Sequence, residues 1–329
     1  MNDRVNQTWL RPLNYNPLPP LLENDNNCIQ LKVHADLFDE EVDFESCWAS
    51  KEVLKLIKKQ QMEGYWIYPQ ARENTNRDNL NQYQTYRNFA KLVDMYSLDR
   101  SHAVIKKTAE YFFSVQTAQG DFRGIYDKQY TPNYTAGIAE MLIKAGYTDD
   151  VRIIRALDWL VKYRQTDGGW ALPFRTRNHN IDVTYNYHET IEPDINQPSS
   201  YMVTSVVLRA FSIHPLFRER PEVKEAGELV STYIFKRDKY PDRQDKKYWT
   251  QFVYPFCYSD LISVLDSLSL LGFSPQEPTI KKGLQWLIDE QLESGLWDLR
   301  ISAGQDKETL QLYLDLAICK IFKQFYSTR

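Results

Sequence analysis

The chain has no closely paired cysteines, no long apolar run and no charge of one sign, and each absence removes a class of protein. Cys28, Cys47, Cys257 and Cys319 lie far apart with no metal-type spacing. That usage predicts a reduced, cytoplasmic protein without a disulfide framework or a cysteine-type zinc site. No stretch approaches the roughly 18 apolar residues that a membrane span requires, although peripheral contact with a membrane stays open. Residues 1–20 are polar and broken by prolines, unlike a secretory leader. The 40 Lys and Arg are interspersed with 44 Asp and Glu, a formal net charge of −4, so no basic stripe offers itself to nucleic acid. Aromatic rings are plentiful instead, with 22 Tyr, 15 Phe and 8 Trp among 329 residues. That is more than a core needs, and it leaves rings to line a cavity.

A pattern recurs four times, each time at the end of an amphipathic helix. Its last copy reads Lys282, Gly283, Trp286, Leu287, Gln291, Gly295, Trp297; the second reads Lys107, Tyr111, Phe112, Gln116, Gly120, Phe122. The third is Arg155, Ala156, Trp159, Leu160, Arg164, Gly168, Trp170, and the first Lys55, Leu56, Gln60, Gly64, Trp66. In every copy the closing aromatic stands ten residues after Leu56, Phe112, Leu160 or Leu287. A spacing held over such different local sequences marks a repeated structural unit, and a repeat array buries its apolar faces between neighbours as one continuous domain. The Gly lets the backbone leave the helix in a left-handed conformation, and the Gln is placed to bond that helix's own last carbonyls.

Two kinds of helix alternate along the chain. Amphipathic ones are expected near 46–61, 101–117, 151–165, 222–236 and 278–292, with one wet face each. Helices apolar nearly all round fit 80–97, 131–146, 201–211, 256–273 and 306–327, and a shorter one fits 27–38 with Asn26 as its cap. The arrangement that buries the second kind on two sides is an all-α, single α/α toroid of about six inner and five outer helices over residues 21–329, preceded by an extended arm, 1–20. A fourth unit is degenerate: Tyr233 fills the anchor slot and Trp249 the closing one, but the Gln and Gly are lost to a charged insertion, 237–247. Long connections at 67–79 and 171–197 are where function concentrates in such arrays.

The copy from Lys282 to Trp297 resembles the QW repeat of the squalene–hopene cyclase and prenyltransferase superfamily, and the two-layer helix order resembles its α/α toroid over about residues 21–327. The resemblance implies a lumen that takes an isoprenoid or other small apolar molecule. The DxDD acid of the cyclases is absent; the nearest acidic runs are Asp149–Asp150 and 39–43. The prenyltransferase zinc site is not carried over either, since Cys257 and Asp260 stand in the order Cys-x-x-Asp and no His opens the next inner helix. Neither metal nor cofactor is expected.

Several residues could carry chemistry. Asp260, Asp266 and Asp315 lie in apolar inner segments, where burial would raise a carboxyl's pKa; Asp260, beside Cys257 at a helix start, is the candidate proton donor. The 171–197 loop gathers His179, Asp182, Tyr185, Tyr187, His188, Glu189, Glu192 and Asp194. A polar lid is its simplest reading, with His188 and Asp182 as its acid–base candidates. Tyr83, Tyr86, Tyr134, Tyr201, Phe256, Tyr258 and Tyr313 fall near inner-helix starts, where rings could hold an isoprenoid chain and stabilise a cation. Three functions follow: a lipid-active enzyme of the terpenoid cyclase type, a non-catalytic ligand- or partner-binding toroid, and a carbohydrate lyase or hydrolase. A closed apolar lumen would favour the first two and a wet groove the third. A lumen plugged by side chains or lined by ion pairs would count against a lipid. Oligomeric state is not written in the sequence.

Overall fold

The computed structural model describes residues 7–69, 77–123, 126, 128–180, 189–302 and 307–327. Among these, the helices of eight residues or more are α1 (Asn27–Phe38), α2 (Lys51–Lys58), α3 (Arg77–Ala90), α4 (Ala103–Val115), α5 (Pro132–Leu142), α6 (Val151–Lys162), α7 (Tyr201–Ile213), α8 (Pro221–Tyr233), α9 (Leu261–Leu270), α10 (Pro278–Asp289) and α11 (Lys307–Tyr326). The odd-numbered ones form an inner ring: α3 packs on α5, α5 on α7, α7 on α9, α9 on α11, and α11 returns to α1. Outside it, α4, α6, α8 and α10 lie against α3, α5, α7 and α9. The chain is therefore an all-α toroid.

Sequence dictates which ring a helix joins. In α7 every residue from Tyr201 to Ser212 is buried, so it needs cover on both sides. In α6, Ile153, Ala156, Leu157, Trp159 and Leu160 are buried while Val151 faces solvent, which suits an outer position. Asn26 caps α1 as expected, accepting from Cys28 N and Ile29 N at 3.1 and 3.3 Å. The first outer segment is split rather than continuous. A short turn, Glu45–Trp48, precedes α2, whose start is set by the Ser50 side chain accepting from Val53 N.

The repeated motif divides its labour differently from the expectation. The closing tryptophan satisfies the helix end: Trp66, Trp170 and Trp297 donate their indole N–H to Leu56 O, Leu160 O and Leu287 O at 2.8, 2.6 and 2.6 Å. Even in the degenerate unit, Trp249 donates to Lys236 O at 2.8 Å. The Gln clamps one repeat to the next. Gln60 Nε2 reaches Val104 O at 2.9 Å and Gln116 Nε2 reaches Arg152 O at 2.8 Å, both in the first turn of the following outer helix. A Gln side chain is long enough to cross that gap, whereas the indole is fixed above its own helix. Gly64 takes φ 94°, and a Cβ there would stand 2.1 Å from Lys107 O, so the glycine serves close approach as well as the turn. In the four regular copies the closing aromatic also donates its backbone N–H to the next inner helix, to Thr85, Thr135 and Thr204 Oγ1 at 2.9, 3.1 and 2.9 Å and, in the last copy, to Asp315 Oδ1 at 3.2 Å.

The described part of the N-terminal arm is built into the ring. Trp9, Leu13 and Leu18 are buried, and Thr8 Oγ1 donates to Tyr326 O at 3.0 Å. For the last repeat the arm replaces the missing next helix: Gln291 Nε2 donates to Tyr15 O at 2.9 Å and Asn14 Nδ2 to Ile288 O at 2.9 Å. The expectation of four unpaired thiols is corrected. The Glu45–Trp48 turn folds back on the start of α1 and brings Cys47 to Cys28, their Cα atoms 5.3 Å apart and joined by a disulfide. No helix among the described residues is long and apolar enough to cross a membrane.

Candidate functional site

The space inside the inner ring is divided into two unequal parts. Towards the N-terminal ends of the inner helices, Tyr83, Tyr86, Asn133, Tyr134, Cys257 and Tyr258 surround a void of about 10 Å³, barely room for one water. Tyr134 meets Tyr83 and Tyr86 edge-on, with ring centres 6.2 and 6.3 Å away. Gly137 makes room for this packing, since a Cβ there would sit 2.6 Å from the Tyr86 hydroxyl. Burial raises the pKa of the Tyr83, Tyr86 and Tyr134 phenols, which stay neutral. Four of the candidate rings, Tyr83, Tyr86, Tyr134 and Tyr258, pack together around this void.

Towards the C-terminal ends lies a chamber of about 500 Å³. Its wall carries Lys32 and Asp36 from α1, Asp94 after α3, Glu140 and Lys144 at the end of α5, Arg209 from α7, Asp266 from α9 and Lys320 from α11. Two of these reach the chamber because α3 and α5 continue into π-helical turns, Lys91–Met95 and Ile143–Tyr147, which re-aim Asp94 and Lys144. Lys144 Nζ lies 3.0 Å from Asp94 and 2.8 Å from Glu140. Glu140 also meets Arg209 at 2.8 Å, and Arg209 donates to Tyr258 O at 3.0 Å, tying the chamber floor to the tyrosine plug. Across the chamber Asp36 lies 3.5 Å from Lys320 and 3.8 Å from Lys32, which donates to Ser97 Oγ at 3.2 Å. Among the described residues no cation stands within 4.0 Å of Asp266.

The electrostatics follow from that pairing. Burial alone would raise the Glu140 carboxyl, but Arg209 and Lys144 hold it below the ordinary range. Burial lowers the Lys32 ammonium more than Asp36 can restore it, and burial raises the Asp266 carboxyl against the weaker pull of Lys320 and Lys144. The chamber thus holds paired charges beside a carboxyl whose pKa burial raises and an amine whose pKa burial lowers.

The candidate residues are distributed unevenly. Asp260 is the N-cap of α9: its Oδ1 accepts from Ser263 N at 2.9 Å within a capping box, burial raises its pKa to about 6, and it lies outside the chamber wall. His188 and Asp182 lie outside the described residues. Phe256 and Tyr313 do stand on the chamber, Tyr313 stacked 5.4 Å from Tyr254 with its hydroxyl donating to Met95 O. Tyr201 belongs to neither compartment; it stacks on Trp249 at 4.8 Å, between α7 and the insertion. Asp315 occupies the slot held by Thr in three other repeats and is raised to about 7 by burial. The chamber's charged residues escaped the sequence reading, yet a signal existed: Glu140 and Arg209 are single charges inside helices buried along nearly their whole length.

The family model for the squalene-hopene cyclase C-terminal domain matches residues 148–313. No curated protein gives a significant match. Among solved structures, the type II terpene cyclase MstE from Scytonema without ligand is 12% identical, covering 85% of this chain and 96% of that one, with a TM-score of 0.34. A variant of it in complex with geranylgeranyl dihydroxybenzoate as substrate is 12% identical over 85% of this chain and 95% of that one, with a TM-score of 0.35. The matched span takes in three repeats, their closing Trp170, Trp249 and Trp297, and the chamber's Arg209 and Asp266; this chain belongs to the squalene-hopene cyclase C-terminal domain family.

Proposed function

We propose that the protein uses the toroid to hold a small, charged or strongly hydrogen-bonding molecule in the C-terminal chamber. The observation that carries this reading is that four cations and five acids line one chamber of about 500 Å³. Ligand pockets of that volume are usually apolar with a few polar groups; this one adds nine charged side chains to an apolar lining. An isoprenoid would strip water from these groups without returning hydrogen bonds, which is costly. A polar ligand exchanges with water on equal terms, and Asp266 and Lys32 stand on the wall it would meet. A thermal-shift screen of amino acids, polyamines, carboxylic acids and sugar acids tests the reading. A stabilising compound whose effect disappears in Asp266→Asn with Lys32→Met supports it. Stabilisation by neutral isoprenoids alone refutes it.

A second reading draws on the family and on the tyrosine cluster: an isoprenoid binds between Tyr83, Tyr86, Tyr134 and Tyr258 after the plug opens, with Asp260 as the nearby acid. The void of about 10 Å³ would have to expand many-fold, so Tyr134→Ala should create isoprenoid binding or strengthen it. In both readings residues 21–329 form one unit that the arm closes.

A further inference from the structure

Away from the lumen, the degenerate fourth repeat leaves an open groove beside α10. At the first two junctions the Gln clamp and the close glycine contact join successive repeats, and at the third the Arg164–Glu225 ion pair reaches α8. Between the fourth and fifth units both are missing, and a groove of about 740 Å³ lies there between α10 and residues 235–250. Its floor is Phe235 and Trp286, ring centres 6.4 Å apart and both half-buried. Phe235 holds a left-handed φ of 62° just past the end of α8, a conformation bulky side chains avoid. Around the floor stand Lys246, Lys247, Lys281 and Lys282, all exposed. Among the described residues none of the four has a carboxylate within 4.0 Å. The groove's one acid, Asp289, is occupied by Gln285 at 2.8 Å. In a protein of net charge −4, four unneutralised ammonium groups around two rings form a local exception.

We propose that this groove binds a soluble organic polyphosphate carrying a flat aromatic ring, of which a nucleoside triphosphate is the simplest example. The lysines complement several phosphate charges at once, and the Trp286 ring, with Phe235 edge-on to it at 62°, offers a stacking face for a base, where bare polyphosphate would find only charge. The site is independent of the chamber reading, because it shares no residue with that wall.

Isothermal titration of the full chain with ATP, tripolyphosphate and adenosine tests the proposal. ATP should bind tightest, with tripolyphosphate about tenfold weaker for lack of the stacked base and adenosine weaker still. Lys281→Glu with Lys282→Glu should weaken ATP by about a hundredfold, and Trp286→Ala should bring ATP to the level of tripolyphosphate; these positions are exposed or half-buried on an outer helix, and circular dichroism checks the fold. The proposal fails if millimolar ATP does not bind, if the double charge reversal leaves ATP affinity unchanged, or if tripolyphosphate matches ATP. Lysine-dependent binding to phosphatidylserine vesicles without ATP binding would replace it with a membrane surface.

Discussion

Replacing Asp315 with threonine should stabilise the protein, and the gain should depend on pH. Three inner helices place a threonine where the closing aromatic of the preceding repeat donates its backbone N–H, and in two of them that hydroxyl also donates within the helix, Thr85 to Asn81 O at 2.7 Å and Thr204 to Ser200 O at 2.7 Å. The fifth unit puts a carboxyl there instead. Asp315 Oδ1 accepts from Trp297 N at 3.2 Å and Gln311 Nε2 at 3.0 Å, but Oδ2 is buried without a partner, and burial lifts the pKa from 3.8 to about 7. A folded-state pKa above the unfolded one means that the proton's stabilising contribution is complete below pH 3.8 and is lost as pH rises through about 7. Every tenfold gain in proton affinity on folding corresponds to about 1.4 kcal/mol, so ionisation costs the fold up to about 4 kcal/mol above pH 8. Threonine removes that cost and restores both hydrogen bonds, for an expected gain of about 2–4 kcal/mol at pH 8.5 that shrinks steadily towards pH 4. Thermal and urea melts of both proteins across that range measure it. A loss of stability that is equal at pH 4 and pH 8.5 would refute the reasoning.

Arg209→Met should cost about 3 kcal/mol at pH 7, because it leaves the buried Glu140 with Lys144 alone; adding Glu140→Gln should recover much of it. The Glu140 contribution exists above pH 4.5 and fades as pH falls through its depressed folded pKa, so the penalty of Arg209→Met should be smaller at pH 4 in urea melts. Gly64→Ala should be severe, about 3 kcal/mol or more, because a left-handed φ coincides with a backbone oxygen 2.1 Å from the new Cβ. Gly272→Ala, at φ 80° with nothing within 4 Å, should cost only about 1 kcal/mol. Deleting residues 1–16 should lower the melting temperature markedly, because Trp9, Leu13 and the Tyr15 clamp on Gln291 leave with them.

The architecture was legible because it is written in periodicity. Buried-all-round helices such as α7 announce an inner ring, and the ten-residue interval from Leu160 to Trp170 is the span over which an indole returns to its own helix's last carbonyls. Roles within the motif were less legible. Gln60 and Trp66 both stand near the helix end in sequence, and only the packing of the next repeat decides that the Gln faces outward to Val104. The site was legible least. Sequence ranks residues by type, so tyrosines near helix starts suggested a lining, whereas closure of the ring brings Tyr83, Tyr134 and Tyr258 into mutual contact and leaves no lumen between them. The chamber's charges come from six helices distant in sequence, and Lys32 and Lys320 look like ordinary solvated lysines until α11 packs on α1. The disulfide was hidden for the same reason, since the 19-residue interval between Cys28 and Cys47 closes only when the chain turns back after α1.

Native mass spectrometry of the full chain with and without geranylgeraniol tests most directly the claim that the toroid holds a polar rather than an apolar ligand. The expected spectrum shows no stoichiometric isoprenoid adduct, either retained through purification or formed on addition. A one-to-one adduct in the unaltered protein, lost on replacing Tyr134 with tryptophan, would contradict the claim and return the isoprenoid to the tyrosine end of the lumen.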